Sequence, residues 1–126
     1  MTPADATVFV VDDDTSVRTA LKRLIQSLGF KVKTFDSAQA FLKQEPHDGP
    51  ACLVLDVRMP GMSGIELQQR LKKAGLGMPI IFISGHGSIP LSVQAMKAGA
   101  VDFIEKPFDE KDLLGAIYKV LNLSSP

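Results

Sequence analysis

Neither sign of charge is in excess: 14 Lys and Arg residues stand against 14 Asp and Glu residues in a chain of 126. Without a basic surplus there is little to neutralise a phosphate backbone, which argues against direct binding to nucleic acid. Cysteine is nearly absent. The single thiol, Cys52, lies inside an apolar run, so an internal disulfide is excluded and the side chain reads as a small buried hydrophobe. Apolar residues make up 45% of the chain, yet no apolar run approaches the length that spans a bilayer, which indicates a soluble globular protein without a membrane partner. The first residues, Met1 to Ala6, have neither the basic region nor the apolar core of a secretory leader, so a cytoplasmic location is expected. Histidine and cysteine do not cluster, which leaves no ligand set for zinc. No glycine-rich phosphate loop follows the first apolar run, no segment repeats, and no linker divides the chain. One domain over 1–126 is expected, with its core at about 7–121, long enough to bury a core without cross-links.

What is present is an alternation. Thr7 to Val11 is a short β-branched and aromatic run, the pattern of a buried strand. Val17, Leu21, Leu24, Ile25 and Leu28 then recur at the spacing of one helix face, and Gly29 stands where a helix stops. Lys31 to Phe35 alternates polar and apolar, as an edge strand does. Ser37 is placed to cap a short helix carrying Ala38, Phe41 and Leu42, and 45–50 is a loop by composition. The run Cys52 to Leu55 predicts a central strand ending at Asp56. A helix over Ile65 to Lys73, a strand over Pro79 to Ile83, a helix over Pro90 to Ala98, a strand over Val101 to Ile104 and a helix over Asp109 to Leu121 complete the chain. Strands alternating with helices imply right-handed crossovers and a parallel sheet covered on both faces.

In such a sheet every strand points its carboxyl end to the same edge, where ligands gather. Asp12 and Asp13, Asp56, Ser84 and Lys106 each close a strand, which brings carboxylates, a hydroxyl and an ammonium together. Converging carboxylates repel and call for a cation; hard oxygen donors favour Mg²⁺, with Mn²⁺ as the alternative. A carboxylate beside such an ion can attack phosphorus and become an aspartyl-phosphate. Lys106 and the Ser84 hydroxyl would then bind phosphoryl oxygens. Asp14 is placed to cap the first helix. A phosphohydrolase of small substrates would use similar chemistry, but the second acid it needs two residues after the nucleophile is replaced here by Arg58.

The sequence resembles a response-regulator receiver domain, the CheY-like phosphoacceptor of two-component signalling. The marks are Val-Val-Asp-Asp-Asp at 10–14, Leu-Asp-Val-Arg-Met-Pro-Gly-Met-Ser-Gly at 55–64, Ile-Ser-Gly-His-Gly at 83–87 and Lys-Pro-Phe at 106–108. Residues 84–108 are especially similar to the FixJ-type subgroup. The resemblance implies a doubly wound α/β domain with strand order 2-1-3-4-5, an order for which a receiver protein is a standard illustration. It makes Asp56 the residue phosphorylated by a sensor histidine kinase. It gives Mg²⁺ the side chain of Asp13, that of Asp12 directly or through water, Asp56, and the backbone carbonyl of Arg58. Lys106 would hold the phosphoryl group, with a cis bond to Pro107. Ser84 and Phe103 match the family's switch pair, with Phe103 lacking the phenol of the Tyr often found there. The face formed by the fourth helix, fifth strand and fifth helix would respond, with Val93 and Lys97 as interface candidates for a phosphorylation-dependent homodimer. FixJ-type receivers usually precede a DNA-binding domain that controls transcription, and this chain contains none. Arg58 and His86, each two residues beyond a site residue, are expected to tune the lifetime of the phosphate.

Overall fold

The computed structural model describes residues 2–44, 47–85 and 89–123. Its strands are β1 (Thr7–Val11), β2 (Lys31–Phe35), β3 (Ala51–Asp56), β4 (Ile80–Ser84) and β5 (Asp102–Glu105). They form one parallel sheet of order β2-β1-β3-β4-β5, as the alternation and the resemblance imply. The helices are α1 (Thr15–Ser27), α2 (Ala38–Lys43), α3 (Gly64–Lys73), α4 (Ile89–Lys97) and α5 (Glu110–Val120). Among the described residues no helix is long and apolar enough to cross a membrane.

Because successive strand residues face opposite ways, the sheet builds two cores. Phe9, Val11, Leu53, Leu55 and Phe82 point to the side covered by α2, α3 and α4, where they meet Phe41, Leu67, Leu71 and Ala95. Val8, Val10, Val54, Ile81 and Ile83 point to the other side, against Leu21 and Ile25 of α1 and Leu113 and Ile117 of α5. Each fully buried aliphatic or aromatic side chain of this kind contributes about 1.5–3 kcal/mol. β1, β3 and β4 are buried along their whole length but for Ala51, which explains their unbroken apolar sequences. β2 lies at an edge and exposes Lys31 and Lys33, charges that discourage pairing with another chain.

Polar residues start the helices. The Asp14 carboxylate accepts the backbone N–H groups of Ser16 and Val17 at 2.8 and 3.3 Å, the capping role expected of it. Ser37 caps α2, Ser63 and Glu66 form a reciprocal box on α3, and Asp109 caps α5 rather than opening it. Gly29 closes α1 with φ +95°, a backbone few side chains tolerate.

Several boundaries move by one residue. β4 begins at Ile80, not Pro79, whose carbonyl accepts the Leu53 N–H from just outside the strand. β5 begins at Asp102, not Val101. α3 starts at Gly64, one residue earlier than the apolar spacing indicates, because the Ser63 cap and not periodicity fixes its first turn; α4 starts at Ile89, which keeps Pro90 in its first turn. A short 3-10 turn, Pro3–Asp5, precedes β1 and was not evident from sequence. Both the Thr2 N–H and its hydroxyl donate to the Asp5 carboxylate, at 2.9 and 3.1 Å.

Candidate functional site

The register fixes the site. Val11 pairs with Leu55 and Asp56 with Ile83, so Asp12 and Asp56 leave adjacent strands at the same edge. Asp12, Asp13 and Asp56 each offer an oxygen, and these oxygens lie within 4.8 Å of one another. Asp12 is fully buried, Asp56 nearly so, and Asp13 faces solvent.

Lys106 reaches this cluster from the end of β5. Its Nζ donates to Asp12 Oδ2 at 2.7 Å and lies 3.8 Å from Asp56 Oδ1, so in this state the ammonium belongs chiefly to Asp12. Its backbone is tied to β4, the Lys106 N–H donating to the Ser84 carbonyl at 2.7 Å, and the Lys106–Pro107 bond is cis, as the resemblance implies. The other oxygen of Asp12 accepts the Asp14 N–H at 2.9 Å. Burial pushes the Asp56 carboxyl up to about 6 from an ordinary 3.8, and the negative charges of Asp12 and Asp13 push the same way. Lys106 and the Arg58 backbone N–H, which bonds the carboxylate, pull it down but do not prevail.

A divalent cation fits this donor set. The oxygens converge without enough positive charge, Asp13 leaves one side open to solvent, and only hard ligands are present. Asp12, Asp13 and Asp56 would hold it; bound there, it would neutralise the cluster and polarise phosphoryl oxygens. Ser84 is buried at the end of β4, beside Asp56 in the sheet order. Phe103 is half-buried on β5, its ring centroid 6.1 Å from that of Phe82. The Arg58 side chain is exposed, and His86 lies outside the described residues. Val93 and Lys97 are both exposed on α4 and share a shallow hollow with Ile89 and Gln94, away from the acids.

Three residues that sequence reasoning missed support this arrangement. Arg18 folds back from α1, and its Nη1 donates to the Asp12 carbonyl at 2.6 Å while Nη2 donates to Thr15 Oγ1 at 3.1 Å. A guanidinium thus ties the acid-bearing turn to the helix that follows. Gly64 lets α3 start against Asp56: a Cβ there would sit 2.2 Å from the Asp56 carbonyl oxygen and 3.1 Å from the Phe82 ring. The Gly64 N–H donates to the Val57 carbonyl at 2.9 Å, which fixes that approach. Gln68, on the next turn, is buried and its Nε2 donates to the Ala95 carbonyl of α4 at 3.0 Å. Gly64 is visible in sequence as the last residue of the 55–64 motif, though its close approach to Asp56 is not; the other two sit among ordinary polar helix residues and give no signal.

Residues 8–118 match the family model of the response regulator receiver domain. The chain belongs to that family. It is 52% identical over 124 residues to the response regulator protein TmoT of Ectopseudomonas mendocina, covering 98% of this chain and 56% of TmoT. It is 47% identical over 119 residues to the transcriptional regulatory protein FixJ of Bradyrhizobium diazoefficiens, covering 94% of this chain and 58% of FixJ. The crystal structure of FixJ-N superposes with a TM-score of 0.86 at 45% identity, covering 97% of this receiver and 98% of that chain. This receiver therefore spans little more than half the length of the curated relatives it matches. Receivers are signalling modules of two-component systems, and receivers generally hold Mg²⁺ in an acidic pocket such as the one formed here by Asp12, Asp13 and Asp56.

Proposed function

We propose that Asp56 accepts a phosphoryl group from a sensor histidine kinase and that the receiver thereby switches its α4–β5–α5 face. The observation that carries this reading is the convergence of Asp12, Asp13, Asp56 and Lys106 at one strand-end edge, with the ammonium 2.7 Å from Asp12 and 3.8 Å from Asp56. An Asp56 carboxylate oxygen attacks phosphorus, the bond from phosphorus to the kinase imidazole nitrogen breaks, and its electron pair stays on the imidazole. Ionised Asp56 is the nucleophile, and a cation held by Asp12, Asp13, Asp56 and the Arg58 carbonyl would further favour that ionised form.

Lys106 then moves from Asp12 to a phosphoryl oxygen, a short transfer given that it already lies 3.8 Å from Asp56. Ser84 turns its hydroxyl to another oxygen, and Phe103, already half inside the core, moves into the space released. Arg58 and His86 tune access of hydrolytic water. The responding face carries exposed apolar side chains, with Ile89 80% and Val93 44% exposed, and Val93 and Lys97 contribute to a homodimer there. The 1–126 segment acts as one receiver, and the length of its relatives supports a DNA-binding output domain beyond it that regulates transcription.

The test is incubation with acetyl phosphate and Mg²⁺, with and without EDTA, read by intact mass. The expected result is one added phosphoryl group that depends on Mg²⁺ and is absent from Asp56→Asn. An unchanged gain in Asp56→Asn would assign the phosphate elsewhere.

A further inference from the structure

α4 is the least anchored helix facing the core. Its only fully buried residue is Ala95, while Ile89, Val93 and Met96 are exposed on it. The carbonyl of that same Ala95 receives two hydrogen bonds. One comes from the Ala100 N–H at 3.0 Å and, together with the bond from the Gly99 N–H to the Met96 carbonyl at 3.1 Å and φ +103° at Gly99, closes α4 as a Schellman turn. The other comes from Gln68 Nε2 on α3, again at 3.0 Å. α3 in turn starts against the Asp56 carbonyl through Gly64, so one rigid helix connects the phosphoacceptor strand to the C-terminal cap of α4.

The amide of Gln68 is only half satisfied. Its residue is 3% exposed, and its Oε1 has no hydrogen-bond partner, the only such buried side-chain atom among the described residues. A buried acceptor without a donor destabilises the state that contains it. A residue that grips α4 with one atom and leaves the other unpaired in the same pocket is suited to an arrangement that is held and also ready to be left.

We propose that Gln68 is a latch that sets the resting position of α4, coupling the β3–α3 segment to the α4 face separately from Ser84 and Phe103. The proposal rests on the phosphorylation switch above. It is a positioning residue, since it touches neither phosphate nor metal. Coupling between two sites is reciprocal in free energy. If the latch favours the resting form, cutting it both loosens the cap of α4 and makes Asp56 easier to phosphorylate, although Gln68 lies outside the site.

The experiment compares the parent with Gln68→Met, which keeps length and removes both polar atoms, and with Gln68→Leu as a second apolar replacement. Hydrogen exchange is followed at the amides of Ala98, Gly99 and Ala100 without phosphodonor, and the rate of phosphorylation by acetyl phosphate is followed by intact mass. The expected result is about tenfold faster exchange at those amides, within the usual range of coupling between sites, together with a raised phosphorylation rate. A bond that is merely structural would lower the melting temperature and leave the phosphorylation rate of the folded variants at the parent value, which overturns the latch. So would unchanged exchange at the cap of α4 in both variants. If the parent itself gains no phosphoryl group, the phosphoacceptor reading fails, and slow unaltered exchange in the metal-bound, donor-free variants still decides against the latch on its own.

Discussion

Asp56 is ionised at neutral pH in a position that resists ionisation. Its carboxyl stands at about 6 in the folded chain against an ordinary 3.8. The folded state therefore holds the proton more tightly than the unfolded state over that interval. Stability is not reduced by this group below the ordinary value, falls as pH rises through the interval, and stays reduced above about 6. At 1.36 kcal/mol per pH unit the reduction is roughly 3 kcal/mol. In EDTA, Asp56→Asn is expected to gain about 2–3 kcal/mol at pH 7.5 and almost nothing at pH 3.5, as measured by urea unfolding. An equal gain at both values would show that the shape of the amide, and not relief of charge, is responsible. Cys52 marks the contrast within the same strand: burial alone pushes its thiol up to about 12, with no neighbour that could use it. It stays a hydrophobe.

At the scale of elements, the contact between α3 and β3 is the tightest constraint described. Gly64→Ala forces a methyl group to within 2.2 Å of the Asp56 carbonyl unless α3 withdraws. Overpacking of this kind costs about 1–3 kcal/mol. The expected outcome is a loss of that size in urea unfolding together with weaker binding of Mg²⁺, because withdrawing α3 drags the Asp56 strand end with it; unchanged binding of Mg²⁺ would show that the strand end is held by the sheet alone. The same contact marks the limit of what was legible. The strands could be read because burial on both faces leaves only apolar residues along them, and the site residues because each stands at the end of such a run. Arg18 and Gln68 could not, since one guanidinium folding back to the Asp12 carbonyl and one amide reaching another helix look, in sequence, like any polar residue on a helix. The single-residue errors at Pro79 and Val101 have a similar cause: apolarity continues past the point where the ladder of hydrogen bonds ends.

For the whole molecule, the exposed apolar stripe on α4 is the largest departure from an ordinary surface. Ile89, Val93 and Met96 share it, and a dimer that buries them would leave an introduced carboxylate without water or partner. Val93→Glu is therefore expected to weaken the phosphorylated dimer by roughly tenfold or more while phosphate uptake stays at the parent level. Sedimentation at several concentrations reads the first and intact mass the second; a dimer of parent strength would place the interface elsewhere. Strand order and the two cores were legible at this scale, because alternation and crossover handedness leave few other arrangements.

The pair between Lys106 and Asp12 joins residues 94 positions apart. A ribosome finishes β1 and the two strands that pair with it, β2 and β3, long before it reaches that lysine. The ion pair that completes the acidic edge therefore cannot form before the last strand has been made, so the site is finished late in synthesis although its acids are made early.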